Sequence, residues 1–211
     1  MCYYTLVESK KERLELAFKA EFYPGVDYEP KGGVTNGFDH QRLPIIMNDN
    51  PEHIALVRWG LIPTWATIEQ AKKIQNQTLN ARAETLIEKP AFRDSQNRRC
   101  LVLVDGFYEW QHEGKSKIKH LIKLKDEENF ALGGIWSYWK NPLKNNSYVR
   151  SFAILTVEAN EMMAKIHNTK KRMPLIISKQ NYSEWLNPEA KDLSYLIKPF
   201  DDKLMEARVV F

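Results

Sequence analysis

The chain has 211 residues, with 31 Lys and Arg against 27 Asp and Glu, a formal net charge of +4, and two cysteines. This length supports one domain with one core that needs no disulfide or metal staple, and the mild positive charge is compatible with a polyanionic partner without demonstrating one. No apolar run approaches the roughly 18 residues of a membrane span, no secretory leader is visible, and Cys2 and Cys100 lack metal-ligand spacing, so a reduced, cytoplasmic protein is expected.

Residues 2–7 read as a short strand. Ser9 with Glu12 fits a capping box, and Leu14, Phe18 and Phe22 recur every four residues, which predicts a helix ending near Tyr23, ahead of Pro24-Gly25. Residues 28–42, with Pro30, Gly32, Gly33 and Gly37, read as an ordered loop. Residues 43–47 and 54–59 are expected strands about the turn at 48–51. Beyond them, Pro63 forbids a regular central strand. Thr67 with Gln70 predicts a capped short helix bearing Ala71 and Ile74, and Pro90 starts another through Phe92.

Residues 100–104 are an unbroken run of β-favouring residues ended by Asp105-Gly106, a buried strand leading into a sharp turn. Directly after it, Glu109 stands among Phe107, Tyr108 and Trp110. A carboxylate there either faces solvent at a strand edge or is buried with something to compensate it. A charged hairpin tip at 112–117 precedes expected strands at 118–124, 130–136 and 151–156. Residues 157–166 read as a helix with His167 at its end, residues 175–177 as a strand, and Tyr182, Trp185 and Leu186 share a helix face. A last strand is expected through 207–211. With no internal repeat or domain boundary, many short strands and separated helices predict a single α+β domain over 1–211.

Five separated segments carry a more specific signal. They are Met1-Cys2, Trp59-Gly60-Leu61-Ile62-Pro63-x-Trp65, Asn80-Ala81-Arg82-x-Glu84, Asp105-Gly106-Phe107-Tyr108-Glu109-Trp110, and Ile166-His167 ahead of Arg172-Met173-Pro174. Together they resemble the SRAP family, the SOS-response-associated proteins that bond covalently to abasic sites in single-stranded DNA. The resemblance implies a compact domain with a barrel-like core of mostly antiparallel strands and flanking helices. It further implies that Met1 is removed, leaving Cys2 with an amine and a thiol on adjacent carbons. The amine forms a Schiff base with the opened sugar and the thiol closes on the same carbon, giving a thiazolidine that is slowly reversed, with an accompanying lyase activity. A terminal amine, with a pKa near 7.7 to 8.0, has an appreciable neutral fraction for this step.

By the same resemblance Glu109 manages the amine's protons, and His167 protonates the sugar ring oxygen and assists reversal, as an imidazole able to hold both proton states. Asn80 faces the substrate, Arg82 binds phosphate through its planar donor fork, and Trp65 stacks on an unpaired base. The implied partners are abasic single-stranded DNA and replication-associated proteins, with a monomer expected and no membrane. No cofactor is implied. His40, His53, His112, His120 and His167 form no recognisable metal-ligand set.

Two departures bear on DNA contact. Tyr3-Tyr4 stands where the family usually has Gly-Arg, and Asn36-Gly37-Phe38-Asp39 is the only counterpart of its usual Asn-x-Ala-Pro, so Tyr4 or Phe38 would substitute stacking for those contacts. Lys72, Lys73, Arg98, Arg99, Lys170, Lys171 and Arg172 either track phosphates or are merely solvated. Taken singly, Cys2 reads as a small apolar strand residue, His167 as a solvated cap, Asn80 as a turn residue, Arg82 as half of a surface pair with Glu84, and Trp65 as a lid over the core; Trp59 is expected in the core. Two other functions stay open: a thiol-dependent peptidase that excises its own Met1, and a non-covalent single-stranded nucleic-acid module built on Trp65, Arg82 and the basic rim.

Overall fold

Runs of β-branched and aromatic residues pair into two sheets. The computed structural model describes residues 2–30, 32–143 and 147–210. The chain begins with β1 (Tyr4–Leu6), α1 (Lys11–Phe18), β2 (Glu21–Phe22), β3 (Val34–Asn36), β4 (Arg42–Met47) and β5 (Asn50–Trp59). It continues through α2 (Ile68–Ile74), β6 (Asn80–Arg82), β7 (Arg99–Val104), β8 (Gly106–Glu113) and β9 (Ser116–Leu124). Then follow β10 (Phe130–Lys140), β11 (Tyr148–Glu158), α3 (Glu161–Ile166), β12 (Arg172–Pro174), β13 (Ile176–Ile177), α4 (Tyr182–Trp185) and β14 (Met205–Val210).

β11, β10, β7, β4 and β5 pair in that order as antiparallel neighbours. A parallel contact of β5 on β11, with Arg58 beside Ser151 and Trp59 beside Phe152, joins the two ends into a closed barrel. Closure removes the exposed edges that a sheet of this size would otherwise present. β7 is buried at every position, as its unbroken apolar run requires. Short β6 and β12 both pair with β11, parallel and antiparallel respectively. The expected α+β domain with a barrel core and flanking helices is the fold observed.

The second sheet runs β14–β9–β8–β1–β3. Asp105-Gly106 carries the chain from β7 in the barrel into β8 of this sheet. A Cβ on Gly106 would lie 2.9 Å from the Leu121 side chain and 3.0 Å from the Ile122 carbonyl, so the crossing needs glycine. The Asp105 carboxylate accepts the amide protons of Glu8 at 2.6 Å and Ser9 at 3.1 Å, the Ser9 hydroxyl, and the Asn129 amide at 2.6 Å. The segment following β1 is thereby pinned to the crossing.

That capture corrects the first helix. Ser9 bonds Asp105 instead of capping; α1 starts at Lys11 with no side-chain cap at Lys10, and left-handed Lys19 (φ 53°) ends it. Phe22 belongs to β2 and pairs with Ile54 of β5, so the four-residue recurrence runs across two elements. The stretch read as a loop contains β3, paired with β1, and a 3-10 turn at Gly37–Asp39. No helix starts at Pro90; a 3-10 turn follows at Arg93–Ser95. α3 starts later than its apolar pattern suggests because Val157 and Glu158 still pair with β12, leaving Asn160 to cap it. The Thr67–Gln70 capping box of α2 forms in full.

Candidate active site

Tyr4 and Leu6 face a small apolar cluster with Tyr108, Trp110 and Leu121. Strict alternation would send Cys2 to the same face. Regular pairing begins only at Tyr4, however, and Cys2 turns into the main core, where it has no exposed surface and its Sγ donates to the Tyr4 carbonyl at 3.7 Å. Between them, the Tyr3 carbonyl accepts the Gly37 N–H at 2.8 Å, tying the terminal segment to the 3-10 turn.

Glu109 lies on β8, between β1 and β9, and is buried at 7% exposure, which decides against the solvent-facing alternative. His167 ends α3, is equally buried, and brings Nδ1 to 3.9 Å from Glu109 Oε2. That gap is too long for a hydrogen bond and short enough for strong charge coupling. His167 Nδ1 stands 2.8 Å from the Arg172 carbonyl oxygen and 3.3 Å from the Arg172 backbone nitrogen, so the Arg172 backbone holds the ring through that atom; the shorter contact is the one an Nδ1–H makes. Burial holds the imidazole below its ordinary value, against the opposing pull of Glu109 and of the Arg172 carbonyl. Burial first, and the Glu109 charge second, push the Cys2 thiol up to about 12. Cys2, Glu109 and His167 thus form one electrostatic unit reached from three separate elements.

Asn80, the first residue of β6, is held beside Ile154 of β11, and its side-chain amide nitrogen and oxygen are both buried without a hydrogen-bond partner. An amide left so is costly unless something else completes it. Asn80 and Arg82 line a groove of about 380 Å³ together with Tyr3, Lys89, Pro90 and Phe92. Arg82 is exposed there. Trp65 stands at the rim, 46% exposed, its indole N–H donating to the Pro90 carbonyl at 3.2 Å, while Trp59 is wholly buried. Phe38, 45% exposed, packs against Tyr3 with ring centroids 5.0 Å apart. Tyr4 instead meets the Trp110 ring edge-on at 4.7 Å, in the outer cluster away from Cys2.

Arg172 is engaged internally. Its Nη1 and Nη2 fork onto Glu84 at 2.8 and 2.9 Å, and Nη2 also donates to the Thr156 carbonyl at 2.6 Å. The guanidinium is buried, so a phosphate contact would have to displace these partners. The surface pair between Arg82 and Glu84 is replaced by this fork.

Sequence reasoning passed over Asn168. Its side chain reads the backbone of β8 as a neighbouring strand would: Oδ1 accepts the His112 N–H at 3.2 Å and Nδ2 donates to the His112 carbonyl at 2.8 Å. The residue after His167 is thereby clamped to the strand that carries Glu109. Nothing local signals a contact between positions 56 apart. Among the described residues no group of three or more His, Cys, Asp or Glu is arranged to hold a metal ion.

The family model described as SOS response associated peptidase (SRAP) matches residues 1–211. The chain is 40% identical over 193 residues to the abasic site processing protein YoqW of Bacillus subtilis (strain 168), covering 89% of this chain and 81% of that protein. It is 31% identical over 178 residues to the abasic site processing protein HMCES of Xenopus tropicalis, covering 73% of this chain and 52% of that protein. A crystal structure of a protein from Bacteroides thetaiotaomicron superposes with a TM-score of 0.92 at 33% identity, covering all of this chain and 92% of that one.

Proposed function

The chain belongs to the SOS response associated peptidase family, and from that premise we propose that it processes abasic sites by bonding Cys2 to the opened sugar of single-stranded DNA. The observation that carries this reading is the meeting of a buried carboxylate and a buried imidazole, 3.9 Å apart, beside Cys2. The reading requires Cys2 to be the first residue of the working protein; Met1 lies outside the described residues.

The chemistry then runs in two steps. The Cys2 amine attacks the aldehyde carbon and, with one proton taken up from solvent, one water leaves, giving a protonated imine; the sulfur bonds to that carbon while its proton passes to Glu109, which returns it to solvent, and the C=N electron pair returns to nitrogen. The sum is aldehyde plus aminothiol giving thiazolidine plus one water. In the chain that retains Met1, burial and the Glu109 charge raise the Cys2 thiol; for a sulfur that arrives protonated Glu109 is the base at hand, and the cationic imine beside it supplies the field that eases its ionisation. His167 moves the proton between the sugar ring oxygen and solvent as the ring opens, with Glu109 stabilising the imidazolium while it exists. The buried, unpartnered Asn80 amide supports a substrate contact at the sugar, and Arg82 supports one at a flanking phosphate.

Incubation with a single-stranded abasic oligonucleotide followed by a denaturing gel tests the reading. Wild-type protein gives an adduct, Cys2→Ala gives none, and Glu109→Gln and His167→Ala form it more slowly. Absence of adduct from protein shown by intact mass to begin at Cys2 refutes it. The family description as a peptidase favours one subsidiary reading, excision of Met1 by the same groups; incomplete Met1 removal in Glu109→Gln made in cells is its expected outcome.

A further inference from the structure

A cavity of about 630 Å³ lies apart from this site, with none of Cys2, Asn80, Glu109 or His167 in its wall. Arg42, Arg58, Lys72 and Arg150 line it, and among the described residues no carboxylate does. Arg42 sits directly across from Arg58 in the β4–β5 pairing, and Arg150 adjoins Ser151, which the barrel closure sets beside Arg58. Like charges facing each other across neighbouring strands destabilise a sheet, so their retention without a counter-charge calls for an anion. The cluster is also built: Gln75, itself buried, accepts Arg58 Nε at 2.6 Å and is held in turn by donating to the Ala71 carbonyl at 2.9 Å. Gln75 thus holds the guanidinium at Nε, and Arg58 is part of the cavity wall. Tyr148, 63% exposed, adds ring surface to the same wall, and buried Trp139 backs it. α2 and the turn after it divide this cavity from the Asn80 groove, for Ala71, Lys72 and Gln75 face one and Ile74, Asn76 and Gln77 the other.

We propose that this basic cavity is a second phosphate-binding site, which holds the nucleic-acid strand flanking the nucleotide captured at Cys2. Planar guanidinium forks match phosphate oxygens, and aromatic faces accept bases without regard to sequence. The inference rests on the DNA reading above, and it predicts binding that is separable from bond formation.

The test is fluorescence anisotropy with intact single strands of about 5 and about 20 nucleotides, titrated with salt. Wild-type protein binds the longer strand more tightly and with the steeper salt dependence. Arg42→Gln combined with Arg150→Gln removes that advantage and lowers the slope of log K against log salt by about 0.7 for each phosphate no longer neutralised, while adduct yield on a saturating short abasic strand stays at the wild-type level. Arg58→Gln gives the same pattern, and the pair of exposed substitutions keeps the test open should Arg58→Gln fail to fold. Unchanged length dependence and slope in folded variants overturn the proposal. Arginine-dependent binding of inorganic tripolyphosphate at matched ionic strength, without any length-dependent strand binding, also overturns it by assigning the cavity to a small polyphosphate. Length-dependent binding without any adduct from wild type refutes the capture chemistry alone and leaves this site standing.

Discussion

Glu84→Gln isolates the strut behind His167. Arg172 is buried, its fork meets Glu84 through two bonds of 2.8 and 2.9 Å, and its carbonyl fixes the imidazole. Removing the partner of a fully buried ion costs about 3–5 kcal/mol, whereas exposed pairs are worth about 0.2–1 kcal/mol. The Glu84 side chain is 46% exposed, so solvent screens the pair, and Gln retains one acceptor for the fork. We therefore expect a loss of about 1–2 kcal/mol near pH 7, a fall in Tm of about 3–6 °C for a chain of this size. The pH dependence gives the sharper check. Hydrogen bonding from Arg172 holds the Glu84 carboxyl below its ordinary value of 4.5. Its contribution is therefore complete above that ordinary value and is lost as pH falls toward and through the depressed folded one. Urea denaturation of both proteins should show the gap narrowing in acid, where wild-type Glu84 becomes neutral as Gln is. Equal stability near pH 7, or a gap undiminished in acid, would refute the argument.

Asn168→Ala removes both bonds to His112 and should cost no more than about 1–2 kcal/mol, since the freed strand edge reaches water. Its larger effects should be faster amide exchange at His112 and adduct formation slowed several-fold; unchanged values of both would show that the clamp positions nothing. The Cys2 thiol, wholly buried and pushed up to about 12, is held protonated near pH 8. Cys100 is likewise buried and pushed up. In protein that retains Met1, both should react with a thiol reagent only after denaturation, and one equivalent reacting natively at a free-cysteine rate would contradict the buried geometry. Gly60→Ala places a Cβ 2.8 Å from His40 Nδ1 and 3.0 Å from the Gln75 carbonyl at a φ of +108°, so a destabilisation above about 2 kcal/mol is expected by denaturant titration.

Local chemistry alone determined several features of this protein. The apolar run of β7, the capping box of α2, the turn between β4 and β5 and the helix face of Tyr182 and Trp185 depend on residues within a few positions of one another, where propensity and period act. The spaced motifs likewise marked Cys2, Asn80, Glu109 and His167, and the groove beside Asn80 takes Arg82 from the same segment. What tertiary structure decided were the partners. Ser9 left its helix for Asp105 across 96 positions, Glu84 went to Arg172 across 88, and Asn168 reached His112 across 56. The packing of the folded chain brought each of these pairs together, because a polar group bonds whichever partner the tertiary structure sets beside it, and distance along the sequence does not enter that requirement.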